Sequence, residues 1–233
     1  MFFVLCSPCF SARLDPCHFS AKVTPEKWKE KVQSIYEEMC HHFMDTFPDY
    51  PLNPEIPLND VKFVKSWDEV DYVTDSDHLA GLYYSPYTDR DINEIIVQWP
   101  AQTEYWYHTE LWLDSVLAHE IFHYFTKSCC FEELKKVENL DASIIEASAY
   151  WAQNEYIKRH SNMILTDLIS KKSSTEVKDM VNMESFSTVA NILYMMAMHR
   201  YLHNAPKWFG NDPQKKFDNL IKGHYNFSDR FGY

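Results

Sequence analysis

Hydrophobic residues recur at helical spacing near the start of the chain. Thr24 and Pro25 form a helix-start signal, with Thr24 as N-cap and Pro25 at the first position, and the pattern runs to about Phe47. The apolar positions of this stretch fall on one helical face: Tyr36, Met39, Cys40 and Phe43. The sequence therefore predicts a long amphipathic helix here.

Three shorter segments that follow are typical of β-strands. Val61–Trp67 alternates apolar and polar residues, Leu79–Tyr84 is aromatic and β-prone, and Glu94–Trp99 is bounded by turn residues and Pro100. They predict a small antiparallel sheet. Further helices are predicted at 140–156, 186–203 and 212–224, so the C-terminal half is predicted to be mostly helical.

The most apolar stretch, Ser115–Phe125, contains one charged residue, Glu120, between His119 and His123. The preceding Thr109–Asp114 offers a helix start with acidic residues in its first turns. An uncharged helix of this kind is typical of one that the rest of the protein encloses. A glutamate kept in such a helix without a task would be costly.

The spacing of these three residues is H-E-x-x-H. On a helix His119 and His123 lie one turn apart on the same face, so both can reach one metal ion, and Glu120 sits beside them. Neutral imidazole suits Zn²⁺, and a nearby carboxylate can take a proton from a zinc-bound water that attacks a carbonyl. The alternative is a buried helix with two hydrogen-bonded core histidines.

The run from Val116 to Phe125 resembles the zincin signature, which allows only uncharged residues around H-E-x-x-H. The resemblance implies that His119 and His123 are zinc ligands and that Glu120 is the general base. It also implies a zincin-like α+β fold, in which an extended peptide pairs with an edge strand and the last strand before the metal helix commonly borders the cleft.

Zincin subclasses differ in their third ligand. The metzincin pattern needs Gly and a third His shortly after His123, and the aspartate-ligand pattern needs Gly followed by Asp, but the chain reads Tyr124–Cys130 without either. The remaining glutamate-ligand type, the gluzincins, takes a Glu from a second helix downstream. Resemblance to that type implies Glu146 as the third ligand.

Glu146 lies in the predicted helix 140–156, for which Asp141 offers an N-cap. It stands at the edge of an apolar stripe, beside small residues that permit close helix approach. Glu155 is expected to face away from Glu146, toward water, because it lies about half a turn around the helix. The alternative for Glu146 is an exposed or salt-bridged helical glutamate.

The segment Glu146–Tyr150 is similar to the E-x-x-A-D element of some glutamate-type zincins, with Tyr150 in place of the acid. In those families the acid orients a histidine ligand, so Tyr150, Gln153 or a backbone carbonyl must substitute here. The longer pattern E-x-x-A-Y-x-x-Q, ending at Gln153, is also similar to that of small bacterial H-E-x-x-H proteins with no established substrate. Resemblance further implies an oxyanion donor from the C-terminal half, for which Tyr194 and His199 are candidates.

Composition is consistent with one compact domain: 233 residues, 45% hydrophobic and 16% aromatic. We expect a single zincin-like metallopeptidase domain over 21–233, preceded by an N-terminal segment, 1–20. The formal charge of -12 argues against nucleic acid as a partner, because phosphate contacts need a clustered basic surface. No apolar run reaches the length of a membrane span, which predicts a soluble chain.

The N-terminal run Met1–Cys6 begins like a signal peptide, but Ser7 and Pro8 end it early and no basic residue precedes it. We therefore expect no working signal in the sequence as written. The six cysteines can form disulfides or a soft metal site, or remain free thiols in a reducing compartment.

The sequence thus predicts a zinc-dependent peptidase acting on peptides or proteins, with Zn²⁺ held by His119, His123 and Glu146. One alternative is a zincin-fold protein that binds a metal or a partner without catalysis. Another is an effector or toxin protease with one narrow protein target. The oligomeric state, the compartment and the substrate are not determined by the sequence.

Overall fold

The computed structural model describes residues 15–72, 80–85, 91–99, 110–137, 142–165 and 212–224, without the side chains of 142–144 and 147. The strands are β1 (Lys22–Thr24), β2 (Asp60–Val64), β3 (Gly81–Tyr84) and β4 (Glu94–Gln98). The helices are α1 (Lys29–Thr46), α2 (Glu110–Leu134), α3 (Ala142–His160) and α4 (Pro213–Ile221), with 3-10 turns at Glu26–Trp28 and Trp67–Glu69. The fold is α+β, as predicted.

The four strands form one mixed sheet in the order β1-β2-β4-β3. β1 pairs parallel with β2 and β2 pairs parallel with β4, while β3 is antiparallel to β4. The predicted antiparallel pairing is thus confirmed for β3 with β4 and wrong for β2 with β4, because β3 lies on the far side of β4 and β2 meets β4 directly. β1, which was not predicted, is parallel to β2 because α1 connects them, and a helical crossover returns the chain in the same direction.

β3 is at one edge of the described sheet and lies against α2, whereas β4 is paired on both sides. β4 is therefore an inner strand of the described sheet, and the expectation that the last strand before the metal helix borders the cleft stays a prediction. The edge strand next to α2 is the preceding one, β3.

The start of the first helix also differs from the prediction. Thr24 ends β1, where it pairs with Lys62, so it is not available as an N-cap. Pro25 caps the 3-10 turn without a side-chain hydrogen bond, and α1 starts at Lys29. The predicted end near Phe47 and the buried face with Tyr36, Met39, Cys40 and Phe43 are confirmed.

α4 packs against α2, and its Phe217 ring stacks on Phe47, the residue that follows α1, with centroids 4.4 Å apart. Asp212 caps it by accepting a hydrogen bond from the Lys215 amide, and Pro213 stands in its first turn, as the sequence predicted. The helix stops at Ile221, close to the predicted end near His224, and Gly223 adopts a left-handed φ of 68° beyond it.

Among the described residues, two cysteine pairs are joined. The Cys17–Cys40 disulfide fixes the N-terminal segment to α1, and Phe19 beside it is buried. A second bond joins the neighbours Cys129 and Cys130 near the end of α2. Of the described helices, none combines the length and hydropathy needed to cross a bilayer.

Candidate metal centre

α2 carries the H-E-x-x-H residues through the middle of the protein. It packs against α1, α3, β3 and β4, and this explains why its sequence is apolar on all sides. His119 is 6% exposed and Glu120 is 5% exposed. The prediction of an enclosed helix with a buried glutamate is confirmed.

α3 brings Glu146 to the two histidines. Its Oε2 is 3.2 Å from Nε2 of His119, and its Oε1 is 3.4 Å from Nε2 of His123. The two Nε2 atoms are 3.1 Å apart. Three side chains from two helices thus converge on one point, and they form a group that could hold a metal ion.

These separations fit zinc. Zn²⁺ binds nitrogen and oxygen at about 2.0–2.2 Å in a tetrahedron, which places any two donors about 3.3 Å apart. The 3.1 Å between the two Nε2 atoms and the 3.2 Å from His119 to Oε2 of Glu146 are close to that value, and the 3.4 Å from His123 is measured to the other carboxylate oxygen, Oε1. Three protein donors are also the number that a catalytic zinc site uses, with the fourth position kept for water or substrate.

Hydrogen bonds alone account poorly for the three contacts among His119, His123 and Glu146. With Glu146 ionised, a protonated Nε2 can donate to the carboxylate, but if both Nε2 atoms carry protons, their two N–H groups face each other. If an Nε2 atom lacks a proton, its lone pair faces a carboxylate oxygen. In every tautomer at least one of the three contacts is therefore repulsive. A cation between the three side chains would attract a donor atom from each of them.

The electrostatics of the group favour positive charge. Burial alone would lower the pKa of His123, but the charge and hydrogen bond of Glu146 outweigh it and raise that pKa. Burial alone would raise the pKa of Glu146, but His123 and His119 lower it overall. The group therefore draws in a positive charge, which a metal ion can supply in place of a proton.

The carboxyl group of Glu120 lies against β3. A Cβ built on Gly81 would lie 2.8 Å from Oε1 of Glu120 and 2.8 Å from Cγ1 of Val116. Burial raises the pKa of the Glu120 carboxyl, while His119, His123 and a backbone hydrogen bond from Tyr83 act in the opposite direction. The carboxyl group is thus held between α2 and the backbone of β3.

Tyr150 and Gln153, the two candidates for orienting a histidine, differ in what they contact. The ring of Tyr150 meets the ring of His119 edge-on, with centroids 4.7 Å apart. Gln153 is buried and donates to Oγ of Ser115, at 3.1 Å, one turn before His119. Tyr150 therefore touches a ligand, whereas Gln153 joins α3 to α2.

Glu155 lies away from the three ligands, as predicted. It pairs with Lys158 at 2.7 Å and approaches His42 of α1 at 3.9 Å, with its side chain 20% exposed. It is thus directed toward α1 and is less exposed than predicted. The candidates Tyr194 and His199, and the helix predicted at 186–203, lie outside the described residues.

Two neighbours of Glu120, Gly81 and Tyr83, were not among the predicted site residues. The available signal was Gly81 itself, one of four glycines in the chain, inside a β-prone run. A glycine within a strand often marks a close approach by another group. A second set of ligand types, Asp15, Cys17 and His41, also lies together, but the Cys17 sulfur is bonded to Cys40.

The candidate metal centre is defined by the chain's own geometry: two histidines of α2, one glutamate of α3, and a buried carboxyl group beside them. Its nearest strand is β3. Comparison with family models, curated proteins and solved structures found no match for this chain.

Proposed function

We propose that this chain is a zinc-dependent peptidase with a zincin-like fold of the glutamate-ligand type. The observation that carries the proposal is the cluster of donor atoms from His119, His123 and Glu146, in which the two Nε2 atoms are 3.1 Å apart and lie 3.2 and 3.4 Å from the two carboxylate oxygens. The two histidines lie on α2, which also carries the buried Glu120. The substrate is a peptide or protein.

His119, His123 and Glu146 would hold the metal. A Zn²⁺ ion bound there would act as a Lewis acid and make water a nucleophile near neutral pH. The donor set, two imidazoles and one carboxylate, suits Zn²⁺ better than it suits Mg²⁺ or Ca²⁺, which prefer oxygen ligands.

Glu120 would be the general base. It is adjacent to His119 in the chain, and its carboxyl group lies against the backbone of β3. From there its carboxylate would take a proton from the attacking water and pass it to the leaving amine. Its burial keeps the carboxyl group from being surrounded by bulk water.

β3 would position the substrate. Its four residues are all partly exposed, and it lies at one edge of the described sheet, beside Glu120. An extended peptide can add to such an edge through main-chain hydrogen bonds. The scissile bond would then lie over α2, next to the metal ligands.

The test compares proteolysis by the zinc-loaded wild type with that by Glu120→Gln on a library of peptides made from whole proteomes. We expect cleavage by the wild type, a loss of at least about 100-fold in Glu120→Gln, and unchanged cleavage in Glu155→Gln, the matched control on α3. Cleavage that survives Glu120→Gln would contradict the proposed base.

Two alternatives would give other results in this experiment. A protease with one narrow target would cut few library peptides but would cut one protein in a lysate, and only with Glu120 intact. A non-catalytic metal-binding protein would bind zinc and leave both the library and the lysate unchanged.

A further inference from the structure

His119 has a buried nitrogen without a hydrogen-bond partner. Its Nε2 faces Glu146 and His123, and its Nδ1, on the other side of the ring, accepts and donates no hydrogen bond among the described residues. The residue is only 6% exposed. A buried polar atom of this kind is costly and calls for an explanation.

The unpartnered Nδ1 matters because His119 is proposed to bind the metal through Nε2, on the other side of the ring. A histidine that binds a metal through Nε2 carries its proton on Nδ1. Such a histidine ordinarily donates that N–H to a carboxylate, a carbonyl or a water, and the bond fixes the orientation of the ring. The described residues provide no such acceptor for His119, so among them the contacts of its ring remain to orient it.

Two aromatic rings enclose the imidazole. Tyr150 meets it edge-on, with the planes at 68°, and His123 meets it at 4.8 Å and 71°. Tyr150 follows Glu146 by four residues on α3, so the turn that supplies the third ligand also supplies this ring. Edge-to-face contacts at these distances are favourable and depend on orientation.

We infer that Tyr150 is a positioning residue for the metal centre: its ring, not a hydrogen bond, holds His119 in the orientation that directs Nε2 to the metal. The inference rests on the proposed zinc site and adds the means by which this chain orients one of its ligands. It assigns the effect to the aromatic ring of Tyr150 rather than to its hydroxyl group.

The experiment measures zinc affinity by competition with a chromophoric chelator. The variants are Tyr150→Phe, which keeps the ring, and Tyr150→Leu, which removes it. Tyr156→Leu is the matched control, because Tyr156 stacks on His160 of the same helix at 4.3 Å, away from the ligands. We expect Tyr150→Phe and Tyr156→Leu to stay within about twofold of wild type, and Tyr150→Leu to bind about 10-fold or more weakly.

The metal-free melting temperature of each variant separates orientation from loss of folding. Tyr150→Met, which keeps much of the bulk without a ring, replaces Tyr150→Leu if the latter does not fold. Wild-type affinity in the variants without the ring would overturn the inference, and so would an equal loss in Tyr150→Phe. Failure of the wild type to bind zinc would instead overturn the proposed function.

Discussion

At the scale of single residues, Glu120 packs against the backbone of β3 at Gly81 and leaves no room for a larger residue there. Gly81→Ala would place a Cβ 2.8 Å from both Oε1 of Glu120 and Cγ1 of Val116, so one of these elements must move. We expect a loss of about 1–3 kcal/mol in the free energy of unfolding. Urea titration measures it.

A double-mutant cycle shows whether Glu120 is the group that resists the added methyl. Because Glu120→Ala removes two of the three nearest atoms, Gly81→Ala should cost less in that background, with the contact to Val116 remaining. An equal cost in both backgrounds would mean that the carboxyl group is not in contact with β3.

The sequence predicts the residues of the metal site unevenly. The relative placement of His119 and His123 can be predicted from local sequence, since their spacing alone puts them on one face of a helix. Glu146 depends on how α3 packs against α2, which only the resemblance could indicate. The contact of Tyr150 with His119 and that of Gly81 with Glu120 arise from tertiary packing. The sequence shows which residues stand at these positions, but it does not show what they contact.

At the scale of elements, the Cys17–Cys40 disulfide joins the segment before β1 to the middle of α1. Its loop of 23 residues constrains the unfolded chain, so we expect Cys17→Ser/Cys40→Ser to lower the unfolding free energy by about 2–5 kcal/mol. Denaturation without reductant measures this. Under reducing conditions the difference should shrink, and equal stability without reductant would contradict the bond.

A second prediction at this scale concerns pH and the contact between α1 and α3. Burial lowers the pKa of His42, and Arg159, 2.8 Å from its Nδ1, lowers it further, against Glu155, Asp45 and Glu38. The unfolded chain then binds a proton that the folded chain does not, so stability falls as the pH drops below about 6.5.

His42→Gln removes this titrating group while keeping a polar side chain. The variant should show a smaller loss of stability than wild type between about pH 7 and pH 5, as measured by unfolding free energies at several pH values. Identical pH profiles in the two proteins would show that His42 has the same pKa in the folded and unfolded chains.

Long elements were predicted better than short ones. α1 and α3 have enough turns for a periodic pattern, and their observed bounds differ from the predicted ones by a few residues. β1 has three residues, and Thr24 with Pro25 resembles a helix start, so the strand was not recognised. The direction of β2 relative to β4 depends on the path between them, which no local pattern contains.

At the scale of the whole molecule, the α+β architecture follows from three strand segments placed before the helical half. The sheet, α1 and α3 enclose α2, and this arrangement buries His119 and Glu120 and leaves His123 and Glu146 partly exposed. An apolar sequence around H-E-x-x-H already predicted enclosure of α2. Which strand would lie beside Glu120 could not be predicted, because the sheet order is not a local property.

The most direct test of the central claim is the zinc content of purified protein, expressed with zinc and measured by elemental analysis. We expect about one zinc per wild-type chain, loss of zinc in His119→Ala and Glu146→Ala, and full retention in Glu155→Ala. Folded wild-type protein without zinc, or Glu146→Ala that keeps it, would contradict a metal site made by His119, His123 and Glu146.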